Sequence, residues 1–462
     1  MAIKHLTYAA IPLIAASMSV QAATVDQLNR QVQKLNQRIA EQDQRLRVNG
    51  FATFGMSVSD EEVSYNGVND EPNFGRPSKI GVQMTFNIDD QNSVVTQLVS
   101  RGQNSWNTEA EWAYFKHDFN NGLSAKVGRI RLPAFMLSEF LDVGYATPWA
   151  KMPNESYSAL TPFANMEGVD LSYTTDIGDL SATVQLVYGR STSELYDLKG
   201  LVSTTGSLQA DTWNAKLSYS IADDITVTDE DIKAALGLYG SATSGIGGSF
   251  TSVGFTYDPG SIYFSAEATS LEVDDTILDI DSAHATIGYR FGRLMPTLTF
   301  ATAESKDNEE RDLAAIIANN PVLDADSGAT LAVLMGAAQA FGAGDGSTSA
   351  ANIATVAAAN SSALPTATGT NLVNKATFDG SIAAAKGVIG AAQSLQAQQD
   401  TDTTRIALGL RYDVSPGTAL KFQYDIIETN DEPGLFDAVP YLDATTKPDK
   451  TNILTISLDT VF

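Results

Sequence analysis

Val48, Gly50, Ala52, Phe54, Met56 and Val58 alternate with Asn49, Thr53 and Ser57, and only Phe51 breaks the polar set. The same period of two returns along the chain. Ile80, Val82, Met84, Phe86 and Ile88 alternate with Lys79, Gln83, Thr85 and Asn87; Trp213, Ala215, Leu217, Tyr219 and Ile221 with Thr212, Asn214, Lys216 and Ser218. Further copies run through 283–291, 405–412 and 420–425. The last is the terminal "TNILTISLDTVF", whose Leu454, Ile456, Leu458 and Phe462 share one face, with Ile453 and Val461 as exceptions on the other. Such segments are strands with one oily and one wet face.

The connections alternate as well. Short turns are predicted at 89–92, 118–122, 176–179, 257–260, 291–293 and 413–417, and long acidic or irregular stretches at 59–77, 132–166, 190–210, 271–281, 304–402 and 428–450. A soluble β-sandwich shares the alternation but does not need this length of consistent segments or this scheme of connections. Short turns on one side and long loops on the other predict an all-β transmembrane antiparallel barrel of about 16 strands, spanning 48–462. Tyr219, Tyr257, Tyr289, Phe291, Tyr412 and Phe462 near strand ends fit the aromatic girdles of such a barrel.

Two different textures precede the strands. Residues 1–22 read as a signal peptide: Lys4 heads an apolar run that ends in the small-residue site Val20-Gln21-Ala22. Residues 23–47 carry a heptad seam on a polar helix, with Val25, Val32, Ile39 and Leu46 at one position and Leu28 and Leu35 at the other. A stripe that narrow predicts a short coiled coil and partner chains, without fixing their number.

Composition narrows the class. The net charge of −26 excludes a basic nucleic-acid footprint. With no cysteine there is no disulfide framework, so packing and ladder hydrogen bonds must supply stability. The acids crowd the loops ("SDEEV", "EVDD", "SKDNEERD", "ETNDEP"), whereas lumen-phase strand positions hold Lys79, Lys126, Arg129, Arg131, Lys216, Arg290, Arg405, Arg411 and Lys421 against Asp170, Glu267, Asp425 and Asp459. Arg101 joins the basic set, on a strand of ambiguous phase. The wall is therefore more basic than the chain, and the expected channel either leans towards anions or is a weakly selective general pore.

With its terminal Phe462 on an alternating strand and its leading heptads, the chain resembles the trimeric porins of Gram-negative outer membranes, of the kind with a periplasmic N-terminal coiled coil. The resemblance implies a homotrimer, a water-filled channel for passive diffusion of small hydrophilic solutes and ions, and recognition of Phe462 by the barrel-assembly machinery. Lipid and lipopolysaccharide become the neighbours, and the outer membrane the location. It also implies that the third extracellular loop, here 132–166, folds inward as the constriction. There Glu139 and Asp142 would face Lys126, Arg129, Arg131 and Arg101, with Lys79, Arg290, Arg405, Arg411 and Lys421 on the lumen wall. Such a transverse field favours polar solutes.

Unbroken alternation through "LSAKVGRIRLPAF" leaves a cation in lipid, which costs roughly 2–4 kcal/mol near the midplane. A β-bulge at Gly128 resolves the conflict, with Lys126, Arg129 and Arg131 inward and Val127 and Ile130 towards lipid. The Ala- and Gly-rich 304–402 reads as a large extracellular insertion. No cofactor, metal site or nucleic-acid partner is expected; no calcium-loop spacing occurs. An enzyme is disfavoured, since only His117 and His284 remain as bases after the signal. The competing class is a structural or adhesive barrel with a plugged lumen.

Overall fold

The computed structural model describes residues 45–157, 164–193, 196–228, 244–274, 279–306, 402–429 and 448–462. The alternating segments become β1 (Leu46–Ser59), β2 (Lys79–Asn87), β3 (Asn92–Arg101), β4 (Thr108–Asp118), β5 (Leu123–Arg131), β6 (Asn165–Ile177), β7 (Leu180–Thr192) and β8 (Tyr196–Gln209). The series continues with β9 (Trp213–Val227), β10 (Ile246–Tyr257), β11 (Ile262–Val273), β12 (Ile280–Tyr289), β13 (Leu294–Ser305), β14 (Asp402–Ser415), β15 (Thr418–Thr429) and β16 (Lys450–Val461). Each strand pairs with its sequence neighbours, and β16 returns to β1, so these 16 strands close a barrel. Closure leaves no unpaired edge, the condition a sheet must meet in lipid.

Every strand splits its residues between two media. On β16 Thr451, Thr455, Ser457 and Asp459 are buried inside, while Leu454 and Leu458 stand outward. Phe54, Val127, Leu217, Val253, Ile287, Phe300 and Leu408, each at least half exposed, continue the outer apolar surface around the barrel. A soluble monomer does not display such a belt. Inside, short hydroxyls form cross-strand pairs such as Ser57–Thr455 (2.9 Å), Thr269–Ser282 (2.6 Å) and Thr286–Thr299 (2.8 Å).

One rim carries short turns, at 88–91, 119–122, 178–179, 210–212, 258–261, 290–293 and 416–417. The other carries 60–78, 102–107, 132–164, 193–195, 228–245, 274–279, 306–401 and 430–449. Two expectations change here. The stretch 190–210 is mostly strand, because β7 runs to Thr192 and β8 fills Tyr196–Gln209; Ser191, Ser203 and Thr205 are buried on the inner wall, while Thr204 and Gly206 lie on the exposed face. A long connection is also needed between the end of β9 at Val227 and the start of β10 at Ile246, where none is expected from the sequence.

The inner apolar exceptions have partners. Phe51 stands over Gly81, which has no side chain to resist it. Ile427 and Ile453 pack with Tyr65 and Val68, so the connection 60–78 folds inward against the wall. Leu46, placed on the coiled-coil seam by its heptad position, instead opens β1 as an exposed residue. The signal peptide, the seam residues Val25, Leu28, Val32, Leu35 and Ile39, and almost all of 304–402 lie outside the described residues.

Candidate pore constriction

The described part of the third long loop, 132–157, lies inside the barrel because the wall holds its backbone. Lys79 Nζ donates to the Leu141 carbonyl (3.1 Å), Lys216 Nζ to Phe135 (2.7 Å), and Arg411 Nη1 to Tyr145 (2.7 Å) and Thr147 (3.0 Å). Lys421 Nζ reaches the carbonyls of Gly144 (2.6 Å) and Trp149 (3.0 Å), and Arg405 those of Met152 (3.1 Å) and Lys151 (3.4 Å). Gln423 grips one turn from both sides: its Oε1 accepts from the Ala150 and Lys151 amides, and its Nε2 donates to the Lys151 carbonyl. Trp149 Nε1 donates to Thr286 and Thr299, and Tyr157 of the one-turn helix Asn154–Tyr157 donates to Glu267 (2.7 Å). Phe135, Leu132 and Tyr157 complete an apolar cluster with Ile130, Met166 and Phe250. A hydrogen bond to a charged donor contributes about 1.5–3 kcal/mol, so this set offsets a large part of the cost of ordering the loop.

These contacts revise the meaning of the basic wall. Arg405 binds Asp425 (2.7 Å) and Glu155 (3.3 Å), Lys421 binds Asp459 (2.9 Å), Lys126 binds Asp170 (2.9 Å), and Arg411 binds Asp413 (2.8 Å). Arg290 sits at the short-turn rim on Asp258 (2.5 Å). Most wall cations are therefore consumed by acids and loop carbonyls, and little of their charge reaches the lumen.

A second set, paired just as closely, clusters around Asp142. Its carboxylate accepts from Arg101 Nε (3.0 Å) and Arg101 Nη2 (2.8 Å) and from Arg131 Nη2 (2.9 Å), with Lys79 Nζ at 3.9 Å. Glu111 joins from β4, at 2.5 Å from Arg101 and 3.3 Å from Arg131. Burial raises the Asp142 carboxyl, but Lys79, Arg101 and Arg131 outweigh it and hold the group down at about 2. Beside this cluster opens a cavity of about 1200 Å³ between the loop and the wall, lined by Lys79, Arg101, Arg131, Asp142, Lys151 and Asp459 among others.

Other predicted site residues are distributed differently. Glu139 is exposed, and with Lys126, Trp112, Tyr114 and Gln185 it lines a smaller recess of about 110 Å³, to which Arg131 also contributes. Arg129 donates to the Ala110 carbonyl and to Glu167 (both 2.6 Å) and lines the large cavity without joining the Asp142 cluster.

The predicted bulge at Gly128 is not there. Pairing runs without a shift through Tyr114–Gly128 and Gly128–Gly168. Gly128 instead has φ +134°, and a Cβ would lie 2.3 Å from the Ala113 carbonyl. The extra residue is on the neighbouring strand: Gln97 faces Trp112 and Leu98 faces Ala110, leaving Glu111 between them. That bulge gives Arg131 its inner partner. Val127 does point outward, but Ile130, expected towards lipid, is 1% exposed and packs in the loop cluster.

Sequence reasoning missed Glu111 and Lys151. Lys151 carried a signal, being the only basic residue of 132–164. It also found no nucleophile near His284, yet Ser156 Oγ lies 3.0 Å from its Nδ1.

No protein-family model matches the sequence, and no curated protein matches it. Among solved structures, OprB of Pseudomonas putida matches with a TM-score of 0.50 at 9% identity, over 93% of this chain and 97% of that one. The anion-selective porin of Comamonas acidovorans matches at 0.49 and 10% identity over 90% and 99%. OmpF of Salmonella typhi matches at 0.47 and 12% identity over 90% and 97%. The fold is the sixteen-stranded barrel of the outer-membrane porins.

Proposed function

We propose that the chain forms a water-filled channel in the bacterial outer membrane for passive diffusion of small hydrophilic solutes and ions. The carrying observation is the open cavity of about 1200 Å³ between the loop 132–164 and the wall, with the Lys79–Arg101–Arg131–Asp142 cluster at its side. A charged, hydrated passage inside an apolar cylinder admits polar solutes and resists oily ones. The homotrimer, the periplasmic helix at 23–47 behind a signal peptide at 1–22, and the extracellular insertion at 304–402 belong to the same proposal. So do lipopolysaccharide contact and recognition of Phe462 by the assembly machinery.

The selectivity follows the cluster rather than the wall. Three cations, Lys79, Arg101 and Arg131, face three carboxylates, Asp142, Glu111 and, at 3.6 Å from Arg101, Glu109, so the cluster is balanced and any lean towards anions is weak. The Ser156–His284 pair is closed to a substrate, since Ser156 is 0% exposed and His284 3%.

A plugged structural barrel is the second reading. The inward fold of 60–78 and the many bonds holding 132–164 favour it. Single-channel conductance in a planar bilayer under a salt gradient decides. Stepwise openings with a weakly anion-leaning reversal potential are expected; a folded barrel that never conducts would establish the plugged form.

A further inference from the structure

The segment 141–147 of the inward loop crosses the wall where the barrel closes. Its Leu141 carbonyl is held from β2 by Lys79, and its Gly144 carbonyl from β15 by Lys421. Its Tyr145 and Thr147 carbonyls are held from β14 by Arg411. Between these holds lie β1 and β16, because the order around the barrel is β2, β1, β16, β15, β14. A few residues of the loop thus straddle the junction of the first strand with the last.

At the junction itself the fit is close. Asp459 of β16 accepts from Thr53 of β1 at 2.6 Å and from Ser457 at 3.1 Å, and pairs with Lys421 at 2.9 Å. Gly144 lies against this network: a Cβ there would stand 2.1 Å from Asp459 Oδ1 and 2.6 Å from Thr53 Oγ1. Tyr145 reaches on to the short-turn rim. Its hydroxyl accepts from the Gly417 amide at 3.2 Å, and its ring centre lies 4.7 Å from the Arg411 guanidinium. The Gly417 carbonyl in turn accepts from the Val461 amide at 2.8 Å, so one turn ties the end of β16 to the loop.

Every other pair of neighbouring strands is joined by its own connection, but β1 and β16 are not. Thr53 and Asp459 are 406 residues apart, and the entropy of closing so long a chain must be offset by contacts at the junction. We propose that 141–147 is an internal strap across the β1–β16 junction: it seats only on a closed barrel, and once seated it keeps the terminal strands from parting. The contacts that fix the loop to β1, β14, β15 and β16 fix those strands to one another, since such coupling is reciprocal. The strap goes beyond the channel reading and holds for a conducting or a plugged barrel alike.

The test uses the full chain folded in detergent, with heat-modifiable mobility as the check of folding, and reads hydrogen exchange by mass spectrometry. Tyr145→Ala takes the hydroxyl from Gly417 and the ring from Arg411, and leaves every wall side chain in place. Amides of 50–58, 416–418 and 453–462 should exchange about tenfold faster than in the native protein, while those of β8 and β9, half-way round the barrel, keep the native rate. Gly144→Val drives a branched side chain into Asp459 and Thr53 and should give the same pattern. In pulse labelling during refolding, 141–147 should become protected with the terminal strands or after them.

Native exchange rates at the junction in both variants overturn the proposal: the closed barrel then holds itself, and the loop merely rests on it. Equal acceleration of all strands, β8 and β9 included, overturns it as well, because the loop then supports the barrel as a whole and not its junction. So does protection of 141–147 before the terminal strands. Should neither variant fold, Tyr145→Phe, which loses only the hydroxyl, gives the reading: several-fold faster exchange at 416–418 and 453–462 supports the strap, and native rates there overturn it.

Discussion

Gly50 and Phe462 close the barrel as a reciprocal pair: the Gly50 amide donates to the Phe462 carbonyl at 2.6 Å, and the Phe462 amide to the Gly50 carbonyl at 2.9 Å. The Phe462 ring lies over the glycine so closely that a Cβ there would sit 2.3 Å from a ring carbon. The terminal aromatic thus extends the β1–β16 seam past its last ladder pair, Phe51–Val461.

Two changes at this seam should cost folding in the same way. Deleting Phe462 removes both bonds, worth about 0.5–1.5 kcal/mol each. Gly50→Val forces the ring away from the strand. Each should lower the fraction of heat-modifiable barrel recovered on refolding into detergent, and combined, the losses should overlap rather than add. Additive losses would mean that ring and glycine act independently.

Arg405 is the second point of attack. It is 2% exposed and serves Asp425, Glu155 and two loop carbonyls. Arg405→Met strands two buried carboxylates, and losing one side of a buried pair costs roughly 3–5 kcal/mol. Urea unfolding followed by tryptophan fluorescence should show a lowered midpoint, and limited proteolysis should cut within 132–164. An intact loop and unchanged midpoint would contradict the clamp.

Selectivity should separate the arginines that sequence reasoning grouped. Arg101→Ser with Arg131→Ser strips two cations from Asp142 and should move the reversal potential towards cations. Arg290→Ser removes a cation that sits on Asp258 at the short-turn rim, outside the large cavity, and should move it less than half as far. Equal shifts would show that bulk charge, not the cluster, controls permeation.

The pH dependence of the cluster has a fixed sign. The folded Asp142 carboxyl is held at about 2, below its unfolded value of about 3.9. The stability it contributes is complete above about pH 4 and is lost as pH falls through about 2. In that window the native channel should become more anion-selective as Asp142 neutralises. Asp142→Asn should already show that selectivity at pH 7 and lack the change near pH 2. A native reversal potential unaffected by acid would count against Asp142 in the constriction.

Much of the barrel was legible because lipid and water impose opposite demands on successive residues. Leu454 and Leu458 against Thr455 and Ser457 need no further context. What the alternation could not show was where loops return. Ile130, Ile427 and Ile453 point inward against oil carried there by 60–78 and 132–164, from positions distant in the chain. The charge conflict near Arg131 was legible, but its resolution was not, since an irregularity at Gly128 or at Glu111 answers it equally well on paper. Positions of wall cations were readable too. Their partners were not, because many of the acceptors are main-chain carbonyls, which every residue possesses, and the acids come from distant parts of the chain.

That last circumstance bears on how such a channel diversifies. Lys79, Arg411, Lys421 and Gln423 grip the loop by Leu141, Tyr145, Gly144 and Lys151 carbonyls, atoms that survive replacement of those side chains by any other residue. Attachment and solute chemistry are therefore written in separate alphabets. Mutation can reword the lumen-facing side chains of the loop while its moorings stay tied, so a lineage can explore new solutes without refolding its pore.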